Sequence, residues 1–202
     1  MLTILIGTSS QLQTNVESAL AAYRHKVFVE HLGWELPGAQ SGLERDQFDR
    51  PDTLYVVARD PDGRICGCAR LLPTEQAYLL GSVFPELMGN QPIPSSSEIW
   101  ELSRYTTQVV DGVAGSRLEA RERFRSLLKG VVEAALERGA KRLITFSFTG
   151  VERLARSFGI HVHRAGAPQL IDGKPVLAFW IELDEQTFRA LGLPTASSVI
   201  KH

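Results

Sequence analysis

Charged side chains stand inside apolar runs at two places in this 202-residue chain. Trp100-Glu101-Leu102-Ser103-Arg104-Tyr105 sets an acid and a base within one strand-like stretch, and Cys66-Gly67-Cys68-Ala69-Arg70-Leu71-Leu72 carries Arg70 in the same way. Burying such groups is costly unless they are paired. Each stretch therefore reads as a buried ion pair, as a strand end that reaches water, or as a site that uses its charges. Asp46-Gln47-Phe48-Asp49 adds two acids that by themselves make an ordinary solvated turn. Arg24 and Phe28 share one helix face at i, i+4, and Trp34 follows, so both aromatics suit plain core packing as well as a site. Carboxylates of this kind exchange protons, guanidinium groups fork onto carboxylates, and aromatic faces attract cations.

The elements that must position these residues follow from periodicity. Met1 to Gly7 reads as a first strand. Thr14-x-x-Glu17 predicts a capping box, and Val16, Leu20, Tyr23 and Val27 recur at helical spacing to about Leu32. Residues 33–52 are polar and punctuated by Gly and Pro, which predicts a long loop of the kind that is usually functional. Leu54 to Ala58 and Ile65 to Leu72 flank Asp60-Pro61-Asp62-Gly63 as a hairpin. Ile99 to Tyr105 is a further strand. Phe124, Leu127, Leu128, Val131, Val132, Ala135 and Leu136 make one apolar helical stripe ending before Gly139. A strand at Leu143–Phe148, a helix from Thr149 to Gly159, a strand at Val176–Leu183 and a short helix capped by Asp184 complete the order. This is an α/β (α+β) pattern, a mixed sheet with helices packed on it. In a regular strand Glu101 and Arg104 face opposite sides, so if both serve one site a bulge or splay is expected near Leu102–Arg104.

Composition narrows the classes. Hydrophobic residues make up 44% and charged residues 22% of a chain long enough for one domain, expected over residues 1–202, and the formal net charge is −1. Neither nucleic acid nor an anionic membrane is favoured as a partner by that balance. No run is long enough to span a bilayer, the start lacks a signal-peptide pattern, and the two cysteines, Cys66 and Cys68, are too close for an easy disulfide. A cytoplasmic location is expected. His161-Val162-His163 lacks the further ligands a metal site needs, and no metal is expected.

Taken together, Arg24, Phe28, Trp34, Asp46-x-x-Asp49, Arg70 and Glu101-x-x-Arg104 match in order and spacing the pattern of the acyl-homoserine lactone (autoinducer) synthases. Ala69-Arg70-Leu71-Leu72-Pro73-Thr74, Phe84-Pro85 and Val151-Glu152-Arg153 add to the resemblance, which spans about residues 1–185. It implies an acetyltransferase-like (GNAT-like) twisted, largely antiparallel sheet with helices on both sides, whose splayed central strands admit an acyl thioester. It implies an acyltransferase for quorum-sensing signals that joins an acyl chain to the amine of S-adenosylmethionine, closes the lactone and releases methylthioadenosine. S-adenosylmethionine is then a substrate, and no cofactor is implied. Glu101 becomes the candidate base. Arg24, Asp46, Asp49, Arg70 and Arg104 become the polar cradle, with Phe28 and Trp34 walling the nucleotide or sulfonium side.

Coenzyme A-dependent acetyltransferases carry a Gly-rich pyrophosphate loop with a Q/R-x-x-G-x-G pattern. The nearest stretch here, residues 111–117, lacks it, which favours an acyl carrier protein as donor. Acyl carrier proteins are acidic, and Lys141, Arg142, Arg153, Arg156 and Arg164 form the candidate docking patch. Trp100, Leu102, Ser103, Thr145, Phe146, Ser147 and Phe148 are the candidate acyl-chain pocket. The resemblance associates a hydroxyl on this last strand, Thr145 or Ser147, with 3-oxo chains, and an unsubstituted chain of about eight carbons is expected from pocket volume. The rival readings are a coenzyme A-dependent N-acetyltransferase of an amine or peptide, and a catalytically inactive sensor.

Overall fold

A computed structural model describes residues 2–36, 39–40, 42–110 and 115–195. In chain order the elements are β1 (Thr3–Thr8), α1 (Thr14–Arg24), a π-helical stretch (His25–His31), β2 (Ala39–Gln40), β3 (Leu43–Glu44), β4 (Leu54–Arg59), β5 (Ile65–Pro73), α2 (Leu79–Val83), a 3-10 turn (Pro85–Met88) and β6 (Ile99–Thr106). They continue with α3 (Arg117–Glu137), β7 (Arg142–Phe148), α4 (Thr149–Ser157), β8 (Val162–Arg164), β9 (Gln169–Ile171), β10 (Lys174–Glu182) and α5 (Glu185–Leu191). The architecture is mixed α/β with an open, mostly antiparallel sheet.

The chain separates into two compact units, Met1–Leu71 with Arg104–Val131 and Leu72–Ser103 with Val132–His202. The two units interleave along the chain, because β5, β6 and α3 each contribute residues to both.

In the first unit β1, β4 and β5 run antiparallel, with Tyr55 opposite both Gly7 and Arg70. Leu12, Val16, Leu20, Tyr23, Val27 and Phe28 pack on Tyr55, Val57 and Cys68, so the helical stripe read from sequence is the core-facing one. Gly130 of α3 lets the helix lie close on this sheet. A β-carbon there would stand 2.8 Å from Ile4 Cγ2.

In the second unit β6 runs parallel to β7, and the ladder extends from Ile99 opposite Arg142 to Leu102 opposite Thr145. It ends there, although β7 continues to Phe148. Thr145 Oγ1 donates to the Leu102 carbonyl at 2.7 Å, a side-chain bond at the end of the ladder. β7 pairs antiparallel with β10, which also pairs with β8 and β9. Asp184 caps α5 as predicted, accepting from the Thr187 N–H.

Several local expectations need correction. The N-cap of α1 is Gln13, whose side chain makes no cap bond, so Thr14 opens the helix one residue inside the expected box. The helix widens after Arg24 into the π-helical stretch, with Leu32 N–H donating to the Val27 carbonyl. His25, Val27, Phe28, Val29 and His31 have weak helix propensity and so defend the tighter α geometry poorly. The loop at 33–52 contains the β2–β3 ribbon, and α2, β8 and β9 were not foreseen from such short segments. Leu136 lies outside the buried stripe, at 38% exposed.

Candidate functional site

The first unit holds a cluster of six ionised side chains gathered from five stretches of chain. Arg24 closes α1, Glu44 closes β3, Asp46 and Asp49 sit in the following turn, Arg70 lies on β5 and Arg104 on β6. Arg24 and Glu44 are each at most 2% exposed and Arg70 is fully buried. Charges at this depth persist only when paired and hydrogen-bonded, and nearly every contact in the cluster serves that end.

Asp49 is the busiest acceptor. Its carboxylate takes both Arg24 terminal nitrogens (2.8 and 3.0 Å), the Tyr55 hydroxyl (2.9 Å), Arg70 Nη1 (3.1 Å) and the Asp46 backbone N–H (2.8 Å). Burial alone would raise its pKa, but Arg24, Arg70 and the backbone bond hold the carboxyl well below the usual range. Asp46 accepts Arg70 Nη1 at 2.6 Å on one oxygen and Arg104 Nη2 at 2.9 Å on the other. Its Oδ1 also accepts the Phe48 N–H, which shapes the turn that presents both acids. Phe48, 2% exposed, covers the Arg70 guanidinium at 5.8 Å.

Glu44 was not singled out in the sequence. It accepts Arg24 Nε at 2.5 Å and Arg104 Nη2 at 2.9 Å, with Arg104 Nε at 3.3 Å. Burial opposes its ionisation, and the two arginines more than reverse this, holding its pKa down. The available signal was spacing: Glu44 and Asp46 are two apart in extended chain and so share a side.

Arg104 has a left-handed backbone, φ 53°, which is rare for a residue with a β-carbon. It lies in the stretch where a bulge or splay is expected from the sequence, just past the last residue that β6 pairs with β7. The Cys68 thiol donates to the Arg104 carbonyl at 3.3 Å, and burial pushes that thiol pKa up to about 12, so it stays a neutral donor. Cys66 and Cys68 are both free and buried. The Arg104 guanidinium lies 5.5 Å from the Phe28 ring and 5.9 Å from Trp34, and these rings stack on each other at 5.0 Å. The aromatics expected to wall a nucleotide or sulfonium thus face an arginine of the protein in this state.

A hollow of about 150 Å³ adjoins the cluster, lined by Arg24, Asp46, Asp49, Tyr55 and residues of α1, with Glu17 and Arg45 paired at 3.1 Å on its wall. It is smaller than the roughly 300–1,000 Å³ of typical small-molecule sites.

Glu101 belongs to the second unit. Its buried carboxylate accepts the backbone N–H groups of Leu79 (3.3 Å) and Leu80 (2.5 Å), at the start of α2. Tyr78, beside it, is raised in pKa by burial and by the Glu101 charge. The candidate acyl residues are in the same unit. Trp100, Leu102, Ser103 and Thr145 are buried, while Phe146, Ser147 and Phe148 are partly exposed. Phe146 packs on Phe84 with ring centres 5.0 Å apart. The Thr145 hydroxyl is engaged by the Leu102 carbonyl.

The expected docking arginines lie in the second unit and are mostly paired. Arg156 and Arg164 both bind Glu152 (2.6 and 3.2 Å), Lys141 pairs with Glu98, and Arg142 bonds Glu182 at 2.8 Å over the Trp180 ring. Arg153 is exposed. His161 and His163 bond Asp184 and Glu182, each at 2.6 Å. Of the stretch at residues 111–117, positions 111–114 lie outside the described residues, as do 196–202 of the tail. No helix among the described residues is long and apolar enough to cross a membrane.

Residues 9–191 match the family model of the autoinducer synthases. An acyl-homoserine-lactone synthase of Ralstonia solanacearum is 50% identical over 190 residues, covering 93% of this chain and 92% of its own length. The solved structure of TofI in a ternary complex with an inhibitor and MTA is 44% identical, with a TM-score of 0.84 over 95% of this chain and 97% of its own. BjaI, a CoA-dependent acyl-homoserine lactone synthase solved with SAM and isopentyl-CoA, is 26% identical, with a TM-score of 0.80 over 96% of this chain and 92% of its own. The solved structure of Escherichia coli ElaA shares the fold alone, at 16% identity and a TM-score of 0.61 over 90% of this chain and 100% of its own. With five of the six clustered charges drawn from the residues that carry the resemblance, and with the family model matched over most of the chain, the chain belongs to the autoinducer synthase family, the acyl-homoserine-lactone synthases.

Proposed function

We propose that the chain makes an N-acyl-L-homoserine lactone from S-adenosylmethionine and an acyl-acyl carrier protein, with an unsubstituted acyl chain of about eight carbons. The observation that carries this reading is the buried cluster of three arginines and three carboxylates beside Phe28 and Trp34. Its charges cancel, and a zwitterionic amino acid fits such a mixed surface. Arg104 contributes one further asset. Its Nε and Nη2 are used by Glu44 and Asp46, and Nη1 has no partner among the described residues, so it is placed to grip the methionine carboxylate.

The chemistry divides into two displacements. The substrate amine loses a proton to Glu101 through water, and its nitrogen attacks the thioester carbonyl. The tetrahedral intermediate collapses, the C–S bond breaks, and the carrier thiol leaves with a proton while the amide forms. In the second step the methionine carboxylate oxygen attacks its own γ-carbon, and the C–S bond to sulfonium breaks to release methylthioadenosine. That step is intramolecular with a neutral leaving group, so holding the carboxylate in line supplies most of what is needed. Asp46 and Asp49 steady the arginines, and Phe28 and Trp34 flank the cation. Trp100, Leu102, Ser103, Thr145, Phe146, Ser147 and Phe148 line the acyl chain, and Lys141, Arg142, Arg153, Arg156 and Arg164 receive the acidic carrier.

A mass-spectrometric assay with S-adenosylmethionine and a panel of acyl carrier-protein and coenzyme A thioesters tests the reading. Octanoyl carrier protein is expected to give lactone and methylthioadenosine in equal amounts. Formation of neither product with any donor overturns the reading, and turnover with coenzyme A thioesters alone overturns the carrier-protein donor. Glu101→Gln is expected to lower turnover by about 10² to 10⁴ while S-adenosylmethionine binding changes little. Equal losses in both remove its role as base.

A further inference from the structure

Glu44 stands apart from the residues that announced themselves in the sequence. It is fully buried, it lies on a two-residue strand, and its one carboxylate joins two arginines from elements far apart in the chain. Arg24 is anchored twice, on Glu44 and on Asp49. Arg104 depends on Glu44 more heavily. Among the described residues, three of its four side-chain hydrogen bonds go to that carboxylate, in a side-on contact from Nε and Nη2. That contact fixes the plane of the guanidinium and so the direction of Nη1. The residue that carries this group has a left-handed backbone at φ 53°, a conformation that persists only where its surroundings over-determine it.

We infer that Glu44 is a positioning residue that aims Nη1 of Arg104 at the carboxylate of the amino-acid substrate. The inference rests on the proposed binding of S-adenosylmethionine in this cluster. Glu44 touches no reacting atom and acts through Arg104. Its loss selectively weakens whichever ligand carries the carboxylate.

Calorimetric titration with two ligands tests this. S-adenosylmethionine has the α-carboxylate and methylthioadenosine lacks it, while both carry the adenosine. Wild-type protein is expected to bind both, and binding of neither would sink the proposed site rather than the role of Glu44. In Glu44→Gln the Kd for S-adenosylmethionine is expected to rise about tenfold or more, the scale of a charge-assisted hydrogen bond, while that for methylthioadenosine changes less than twofold. Glu44→Asp keeps the charge with a shorter reach, and is expected to show the same selectivity with a smaller loss. It also provides the measurement if the Gln variant does not fold. In an Arg104→Gln background, Glu44→Asp is expected to add no further selectivity. Equal loss of both ligands, or full selectivity persisting without Arg104, overturns the inference.

Discussion

Two ionic networks of this protein use the same side-chain types to different ends. In the first unit Arg24, Glu44, Asp46, Asp49, Arg70 and Arg104 are packed at side-chain exposures of 14% or less. In the second, Arg142–Glu182 and Arg156–Glu152–Arg164 keep their cations open to water, with Arg156 at 57% and Arg164 at 45%. Both contain short contacts. Desolvation makes the difference. Buried charges cannot fall back on water if a partner is lost, whereas exposed ones can. The first network therefore fixes geometry at high stakes, and the second leaves cations available at its surface. A site that orients a small zwitterion needs the former, and a surface that meets an acidic partner transiently needs the latter.

The sharpest test of that contrast is removal of one buried cation. Arg70→Ala leaves Asp46 and Asp49 short of a partner inside the first unit. A loss of about 3–5 kcal/mol is expected in urea unfolding. A loss below about 1 kcal/mol would place the two networks in the same class.

Acid probes the buried cluster next. Glu44 and Asp49 have folded pKa values below their ordinary 4.5 and 3.8, because arginine pairing outweighs burial. A depressed carboxyl adds stability that is complete above its unfolded pKa and is lost as pH falls toward its folded one. Stability is expected to be insensitive to these groups above about pH 5.5, and to fall below about pH 4.5 as the unfolded chain takes up protons first. Asp49→Asn should lower the neutral plateau and flatten the acid limb. An unchanged limb in that variant would remove the acid dependence from the buried cluster.

How much of this was legible in sequence follows the same division. Arg70, Glu101 and Arg104 were visible because charge inside an apolar run violates the strand pattern. Asp46 and Asp49 became visible only through their order along the chain. Glu44 stayed hidden because its two-residue offset from Asp46 does not by itself distinguish an acid that will be buried from one that will be solvated. Its burial depends on arginines 20 and 60 residues away. The hairpin, the long helix and the Asp184 cap were readable from local rules, whereas the π-helical widening and the two-residue β2–β3 strands leave too weak or too short a pattern to read. The second network also misled in part. A row of arginines reads as a basic patch, yet Glu98, Glu152 and Glu182 partly neutralise it.

That neutralisation sets the size of the smallest effect. Arg156 is held by Glu152 at i, i+4, and Glu152 is nearly buried at 2% exposed, so the pair presents one tethered guanidinium to solvent. Burial raises the Glu152 pKa and its two arginines lower it further than burial lifts it, so the carboxylate stays charged and keeps Arg156 in place. In Arg156→Glu an acid replaces that cation beside Glu152, while Arg164 still pairs with Glu152. Glu152 is buried but keeps Arg164, so folding stability is expected to fall by about 1–3 kcal/mol, less than for loss of Arg70. The KM for an acyl carrier protein is expected to rise about three- to tenfold at low salt, and the rise should shrink as added salt shortens the Debye length. A carrier-protein KM that does not move at low salt would leave the exposed network without a docking role, and the contrast between the two networks would then be one of burial alone.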